Sequence, residues 1–151
     1  MTVHSPLFII HYFAFIIIMT GCASLSGGQT LTIRCNYDTV WEESLMVLER
    51  ATLITADKMS GIIETDWEKG MSKKKVGAFG RKLTQERSSL FVKIIDDDDV
   101  ATIRVIHVRQ EHPLSGVRSL RWFPVDGSPH VERRILNRIH HRLKKHGCHG
   151  A

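Results

Sequence analysis

The chain has 151 residues, of which 42% are hydrophobic and 25% are charged, and its formal net charge is +5 at pH 7. This length suits one ordinary domain plus a targeting segment and excludes two well-packed domains, while the composition excludes wholesale disorder. Residues 1–21 contain no Lys, Arg, Asp or Glu, so the positive charge belongs entirely to the remainder of the chain.

The N-terminal segment is typical of an export signal. Residues 7–19 are apolar apart from His11, and this run is shorter than the roughly 20 apolar residues that a membrane-spanning helix needs. Small and polar residues follow, and Met19-Thr20-Gly21-Cys22 resembles the bacterial lipobox, in which an obligatory Cys receives lipid before cleavage. We therefore expect residues 1–21 to be a lipoprotein signal peptide and Cys22 to be the lipidated first residue of the mature protein.

The residue after the lipidated Cys suggests the destination. Residue 23 is Ala and not the Asp that resembles an inner-membrane retention signal, so we expect the protein on the periplasmic face of the outer membrane. A basic domain in that compartment meets anionic lipid headgroups and acidic protein surfaces, and we do not expect nucleic acid as a partner.

The first structured elements follow a short linker. Residues 22–30 comprise the lipidated Cys and a flexible Gly/Ser tether. Residues 31–35 alternate apolar and polar side chains, as in a half-buried strand. Asn36 and Asp38 then offer N-cap oxygens, Thr39 and Glu42 have capping-box spacing, and apolar residues recur at helical spacing as far as Ala51. This pattern predicts an amphipathic helix.

The middle of the chain has the pattern of β-hairpins. Residues 53–56 and 62–67 are β-prone and flank a turn, which predicts a first hairpin. Residues 68–82 are rich in glycine and basic side chains, which predicts a mobile basic loop. Residues 90–95 and 100–108 flank an acidic run at 96–99, so we expect a second hairpin with an acidic tip.

The last element is a second amphipathic helix. Proline and glycine interrupt a possible strand at residues 117–123, and Ser128 then caps a helix that begins with Pro129 and has an apolar stripe up to Leu143. The element order predicts an α+β fold: an antiparallel sheet of about four to five strands with two amphipathic helices packed on one face. We expect this domain to span residues 31–146, followed by a tail at 147–151.

Two segments carry a resemblance to a known family. The run Tyr37-Asp38-x-Val40-Trp41 opens a helix, and Ser60-Gly61-Ile62-Ile63-x-Thr65-Asp66-Trp67 follows further along the chain. Together they resemble the domain of BamC-type lipoproteins, accessory subunits of the outer-membrane β-barrel assembly machinery with helix-grip folds. The resemblance covers residues 37–67 and, beyond them, only the element order. It implies that the Trp plugs the helix onto the sheet and that the Gly turns the first hairpin.

The sequence predicts no enzymatic activity. G-x-S-x-G, phosphate-loop and H-E-x-x-H patterns do not occur in the chain, and the motifs of the BamC-type resemblance are structural. The acidic run at 96–99 lacks the spaced oxygens and the Gly of a calcium loop, so we interpret it as a solvated hairpin tip. The covalent lipid on Cys22 is the one prosthetic group that we expect.

Two clusters are candidate binding residues. Imidazole and thiolate ligands suit Zn²⁺, Cu or Ni²⁺, and the C-terminal tail offers His146, Cys148 and His149. The alternative is an exposed tail with incidental histidines. In the basic loop, candidate contacts to an anionic surface are Lys73, Lys74, Lys75, Arg81 and Lys82, together with the basic face of the last helix, which carries Arg133, Arg134, Arg138, Lys144 and Lys145. The alternative there is a solvated loop.

The cysteines suggest one disulfide. Lipidation of Cys22 leaves Cys35 and Cys148, and an oxidising compartment favours their pairing if the last helix lies across the sheet that begins near Cys35. The alternative is a mobile tail with Cys148 free.

The sequence thus predicts a lipid-anchored, periplasm-facing accessory or scaffold lipoprotein of the cell envelope, linked through the BamC-type resemblance to outer-membrane assembly. We expect it to contact the membrane through its lipid and to bind an unknown envelope protein. The alternative function is a small periplasmic ligand- or metal-binding lipoprotein, which would use the helix-on-sheet cleft or the His-rich tail.

Overall fold

A computed structural model describes residues 27–72, 75–76, 80–81, 84–113 and 121–151. The predicted signal peptide, Cys22, most of the tether and part of the basic loop lie outside these residues. The elements are, in chain order, β1 (Gln29–Arg34), α1 (Tyr37–Leu48), β2 (Leu53–Asp57), β3 (Ile62–Thr65), β4 (Glu68–Ser72), β5 (Lys75–Val76), β6 (Gly80–Arg81), β7 (Thr84–Asp97), β8 (Val100–Pro113), β9 (Phe123–Val125), α2 (Pro129–Lys145) and β10 (His149–Gly150).

The described strands form one large antiparallel sheet and one small one. The large sheet has eight strands in the order β10-β1-β8-β7-β3-β2, with β4 also paired to β7 and β9 to β8. The small sheet pairs β5 with β6. The α+β class is as predicted, but the predicted number of four to five strands is wrong.

The additional strands were not predicted because they lack the sequence pattern of half-buried strands. Strands β7 and β8 each extend over 14 residues and pair along their whole length, whereas the apolar runs covered only about half of each. The outer half of this ribbon is polar, and it holds β4 through backbone pairing with β7. The start of the predicted loop at 68–82 is therefore a strand. Strands β9 and β10 have three and two residues, too few for a periodic pattern.

The predicted acidic hairpin tip lies between β7 and β8. Asp97 pairs with Val100 across a two-residue turn, and both turn residues have positive φ, +40° at Asp98 and +70° at Asp99. A two-residue turn of this handedness matches the twist of the flanking strands, and Asp tolerates it better than most residues do.

Both helices pack on the same face of the large sheet. Cap residues start each helix: Asn36 Oδ1 accepts a hydrogen bond from the Asp38 amide at 2.9 Å, and Ser128 Oγ accepts one from the Val131 amide at 3.5 Å. The core between helices and sheet is closed by Trp41, which is 5% exposed, and by alternate apolar residues of the central strands. These include Ile33, Ile63, Val92, Ile94, Ala101, Ile103 and Val105 from the sheet, and Val40, Val47, Leu48, Ile135, Leu136, Ile139 and Leu143 from the helices.

Gly61 turns the first hairpin between β2 and β3. Its φ is +63°, and a Cβ at this position would lie 2.1 Å from the Ile94 carbonyl oxygen. The Ile94 amide donates to the Gly61 carbonyl at 2.8 Å, so the turn is packed directly against β7. Only glycine satisfies both the conformation and the close approach.

No helix in the described part of the chain combines the length and the apolar character needed to cross a membrane.

Candidate functional site

The two cysteines other than Cys22 are joined by a disulfide bond in the structure. A disulfide links Cys35 to Cys148, with a Cα–Cα distance of 5.0 Å and a sequence separation of 113. The Cys148 amide donates to the Leu143 carbonyl at 3.2 Å, and β10 pairs with β1. The end of the chain is thus tied to its first strand, and both cysteines are buried.

The three tail residues considered as metal ligands are not brought together as a ligand set. The sulfur of Cys148 is bonded to Cys35, His146 Nε2 lies 2.8 Å from Glu43 Oε1, and His149 Nδ1 lies 3.2 Å from the Gly147 carbonyl oxygen. Among the residues that the structure describes, no three His, Cys, Asp or Glu side chains converge in a way that would hold a metal ion.

Glu43 joins the two helices near this disulfide. Its carboxylate accepts a hydrogen bond from Arg142 Nε and contacts the His146 ring. The hydrogen bond from Arg142 lowers the pKa of Glu43, against the opposing effect of burial. The charge on this largely buried carboxylate is therefore matched by Arg142 on α2 and by its contact with His146, the residue that follows α2.

The predicted contacts of the basic loop are only partly described. Lys73, Lys74 and Lys82 lie outside the described residues. Lys75 and Arg81 are register partners in the β5–β6 pair, so these two positions lie side by side. The rest of the predicted cluster stays a prediction.

A second basic surface, on the helices, is described in full. A groove of about 750 Å³ runs between α1 and α2. It is lined by Met46 and Val47 from α1, by Glu49 at the end of that helix, and by His130, Arg133, Arg134, Asn137, Arg138, His141, Arg142 and Lys145 from α2. We call it the interhelical groove. On an α-helix, residues four apart lie on one ridge, so these α2 residues form two parallel ridges, one starting at His130 and the other at Arg133.

Most of the cations in the interhelical groove have no acidic partner. Within the described ranges, the arginine–carboxylate ion pairs join Arg109 to Glu86 and Arg142 to Glu43. Arg133 Nε donates to the Pro129 carbonyl oxygen at 3.3 Å. No carboxylate pairs with the remaining groove cations in this part of the structure, and these are Arg133, Arg134, Arg138 and Lys145. The groove is therefore strongly electropositive.

A second cavity lies between the helices and the sheet. This sheet-side cleft has a volume of about 780 Å³, and its apolar lining includes Leu48, Leu90 and Ile135. Arg134 and Arg138 line both this cleft and the interhelical groove. The two arginines therefore stand on the boundary between the two cavities.

The polar groups beside the sheet-side cleft hold α2 on the sheet. His107 Nδ1 accepts a hydrogen bond from the Ser128 amide at 3.1 Å, and the His107 amide donates to Glu132 Oε1 at 3.0 Å. Burial, and to a lesser extent the charge of Arg109, lowers the pKa of His107. His107 is thus held as a neutral acceptor at the start of α2.

An arginine between two tryptophans supports the outer wall of the cleft. The Arg87 guanidinium carbon lies 4.4 Å from the ring centroids of both Trp67 and Trp122, and Arg87 Nε donates to Gln110 at 2.9 Å. Cation–π contacts of this kind fix the polar half of the β7–β8 ribbon. Sequence reasoning missed this stack, because Arg87 lies in a polar run that gives no signal of its neighbours.

Sequence reasoning found the basic face of the last helix but not the groove. The helical spacing places the basic residues on the face of α2 that is opposite to its apolar stripe. That this face borders α1 and encloses a concave site depends on how the two helices pack, which the spacing of charges does not reveal.

Comparison of the chain with protein-family models and with curated protein sequences found no match. No family assignment follows from these comparisons.

Proposed function

We propose that the chain is a lipid-anchored accessory or scaffold protein of a bacterial cell envelope, attached through Cys22 to the periplasmic face of the outer membrane. The observation that carries this proposal is the bond between Cys35 and Cys148. Disulfides persist in oxidising compartments such as the periplasm and are rare in the cytosol. The bond thus supports export, which the lipobox-like residues Met19 to Cys22 predict independently.

An accessory role is favoured over catalysis by the bonding of the polar groups near the sheet-side cleft. A general acid or base must reach a substrate proton directly or through one water. Here Glu132 accepts from the His107 amide, the His107 ring accepts from the Ser128 amide, and Glu86 is paired with Arg109. The bonds of Glu132 and His107 attach α2 and the segment before it to β8, and the Glu86–Arg109 pair joins β7 to β8, so we assign these groups a structural role.

The resemblance of residues 37–67 to BamC-type lipoproteins makes subunits of the outer-membrane barrel-assembly machinery the first candidate partners. Chemical crosslinking in intact cells, followed by affinity purification of the tagged chain from membranes, tests this directly. We expect barrel-assembly subunits to be enriched over an untagged strain and over the Cys22→Ser variant. Equal recovery in all three preparations would contradict the partner assignment.

One observation favours the alternative of a ligand-binding lipoprotein. The sheet-side cleft, at about 780 Å³, lies inside the roughly 300–1,000 Å³ range of small-molecule sites. Organic extraction of the purified chain followed by mass spectrometry separates the two functions. A small molecule recovered in near-stoichiometric amount from wild type, and lost when Leu90→Trp fills the cleft, would favour the ligand-binding function.

A further inference from the structure

We propose that the interhelical groove binds the phosphorylated headgroup of an anionic membrane lipid, with Arg134 and Arg138 as the principal contacts and Arg133 and Lys145 beside them. This inference rests on the proposed function, because the anchor at Cys22 is what would keep the groove close to a lipid surface. It adds a second contact with the membrane, separate from the acyl chains.

The first support is the concentration of unpaired cations in the groove. Outside it, Arg109 pairs with Glu86, Arg87 contacts Gln110 and two tryptophan rings, and Arg34 and Arg104 are exposed single charges on the sheet. Arg134 and Arg138 have no acidic ion-pair partner among the described residues. The acidic lining residues are Glu49 in the groove and Asp66 and Glu68 in the adjoining sheet-side cleft. A concave surface with this excess of cations concentrates anions.

The second support is the arrangement of the charges along α2. Arg134, Arg138 and Arg142 follow one another at four-residue spacing on one ridge. Like charges at this spacing destabilise a helix, whereas alternating signs would stabilise it. Only Arg142 is relieved by an ion pair, with Glu43. The row of like charges on α2 therefore does not stabilise the helix.

The third support is the chemistry of the lining. Guanidinium groups donate in a planar fork that matches phosphate oxygens, and a four-residue step separates Arg134 from Arg138 by about 6 Å along the helix axis. The apolar lining of the groove is limited to Met46 and Val47. An acidic amphipathic peptide would need a larger apolar surface, so a compact, densely charged phosphate headgroup fits the groove better.

The test uses the full chain in micelles of a neutral detergent doped with increasing amounts of phosphatidylglycerol. Because a ligand that binds the native state raises its melting temperature by an amount that depends on the ratio of ligand concentration to dissociation constant, the dependence of that rise on lipid content gives an apparent affinity. Phosphatidylcholine at the same doping is the control with a zwitterionic headgroup of zero net charge. We expect Arg134→Gln/Arg138→Gln to bind phosphatidylglycerol about 25-fold more weakly than wild type, since each cation near an anionic surface changes affinity about fivefold.

A matched variant separates the groove from net charge. Arg34 and Arg104 are exposed on strands β1 and β8, and outside both cavities. Arg34→Gln/Arg104→Gln changes the net charge by the same amount, and we expect less than about twofold loss of affinity because exposed charges at a distance are screened by salt. Equal losses in the two double variants would overturn the proposal.

Further measurements test whether the ligand is a lipid headgroup and whether the variants are folded. Binding of inorganic phosphate as tight as that of phosphatidylglycerol, or binding of poly-glutamate without binding of the lipid, would also overturn the assignment to a lipid headgroup. If Arg134→Gln/Arg138→Gln melts well below wild type without lipid, the Arg133→Gln/Lys145→Gln variant is used in its place. We expect this variant to bind phosphatidylglycerol about fivefold or more weakly than wild type. Binding as tight as that of wild type would count against the groove. The micelle assay needs no acyl chain on Cys22, so the anchor and the groove fail separately.

Discussion

Reduction of the Cys35–Cys148 bond is expected to lower the free energy of unfolding by about 4 to 5 kcal/mol. The bond closes a loop with a sequence separation of 113, and the chain-entropy model assigns roughly this value to a loop of that length. The loss is large because a domain of ordinary stability has only about 5–15 kcal/mol in total. We therefore expect the reduced chain to be close to its folding threshold.

Urea unfolding of the full chain in neutral detergent, with and without dithiothreitol, measures this difference. Both cysteines are buried, so reduction needs partial unfolding first and the samples must be equilibrated from the denatured side. The Cys35→Ala/Cys148→Ala variant is the control: its unfolding midpoint should not respond to the reductant, which separates the bond from other effects of the reagent.

Two results would refute this reasoning. One is an unfolding free energy that agrees within about 0.5 kcal/mol between the oxidised and reduced wild type. The other is free, alkylatable Cys35 and Cys148 in protein isolated from the periplasm without reductant, which would also remove the main support for export.

Three further predictions concern the fold. Trp41→Ala should lower the free energy of unfolding by about 3 to 5 kcal/mol, the usual range for removal of a large aromatic side chain from a core. A melting temperature unchanged within a degree or two would place this side chain on the surface. Gly61→Ala should lower the free energy of unfolding by more than about 2 kcal/mol, because alanine is strained in the left-handed conformation and its Cβ would collide with the Ile94 carbonyl. Gly70→Ala is the control, because no atom lies within 4 Å of its Cβ, and it should lower the unfolding free energy far less in a urea titration. Because burial lowers the pKa of His107 below its ordinary 6.5, the unfolded chain takes up a proton before the folded chain does. The contribution of His107 to the free energy of unfolding should therefore be complete above about pH 6.5 and should decline as the pH falls below that value. His107→Gln should reduce this decline between pH 7 and 5. An unchanged slope of unfolding free energy against pH would contradict the role of His107.

Elements with a strong local signal were predictable from the sequence. The cap candidates Asn36 and Ser128 and the helical spacing identified both helices, whereas the predicted capping-box pair Thr39 and Glu42 lies inside α1. The acidic run marked the tip of the second hairpin between Asp97 and Val100. In each of these places, local preference and tertiary structure agree, as expected of a minimally frustrated sequence.

The extent of the sheet was not predictable for a physical reason. Strand β4 and the outer half of β7 have little apolar alternation, because their stability comes from backbone pairing and from the stacking of Arg87 between Trp67 and Trp122. Periodicity reports burial against a core, and these residues lie beyond the helices. The same limit hid the interhelical groove, since a row of basic residues on one helix does not reveal which element lies opposite.

The most direct test of the central claim is fatty-acid labelling of wild type and Cys22→Ser in a bacterial host, with fractionation of the membranes. We expect wild type to incorporate labelled palmitate, to run at the size expected after removal of residues 1–21 and to fractionate with the outer membrane. We expect the variant to be unlabelled and either soluble or unprocessed. Unlabelled wild type, together with a variant that still fractionates with membranes at the normal mature size, would contradict this claim.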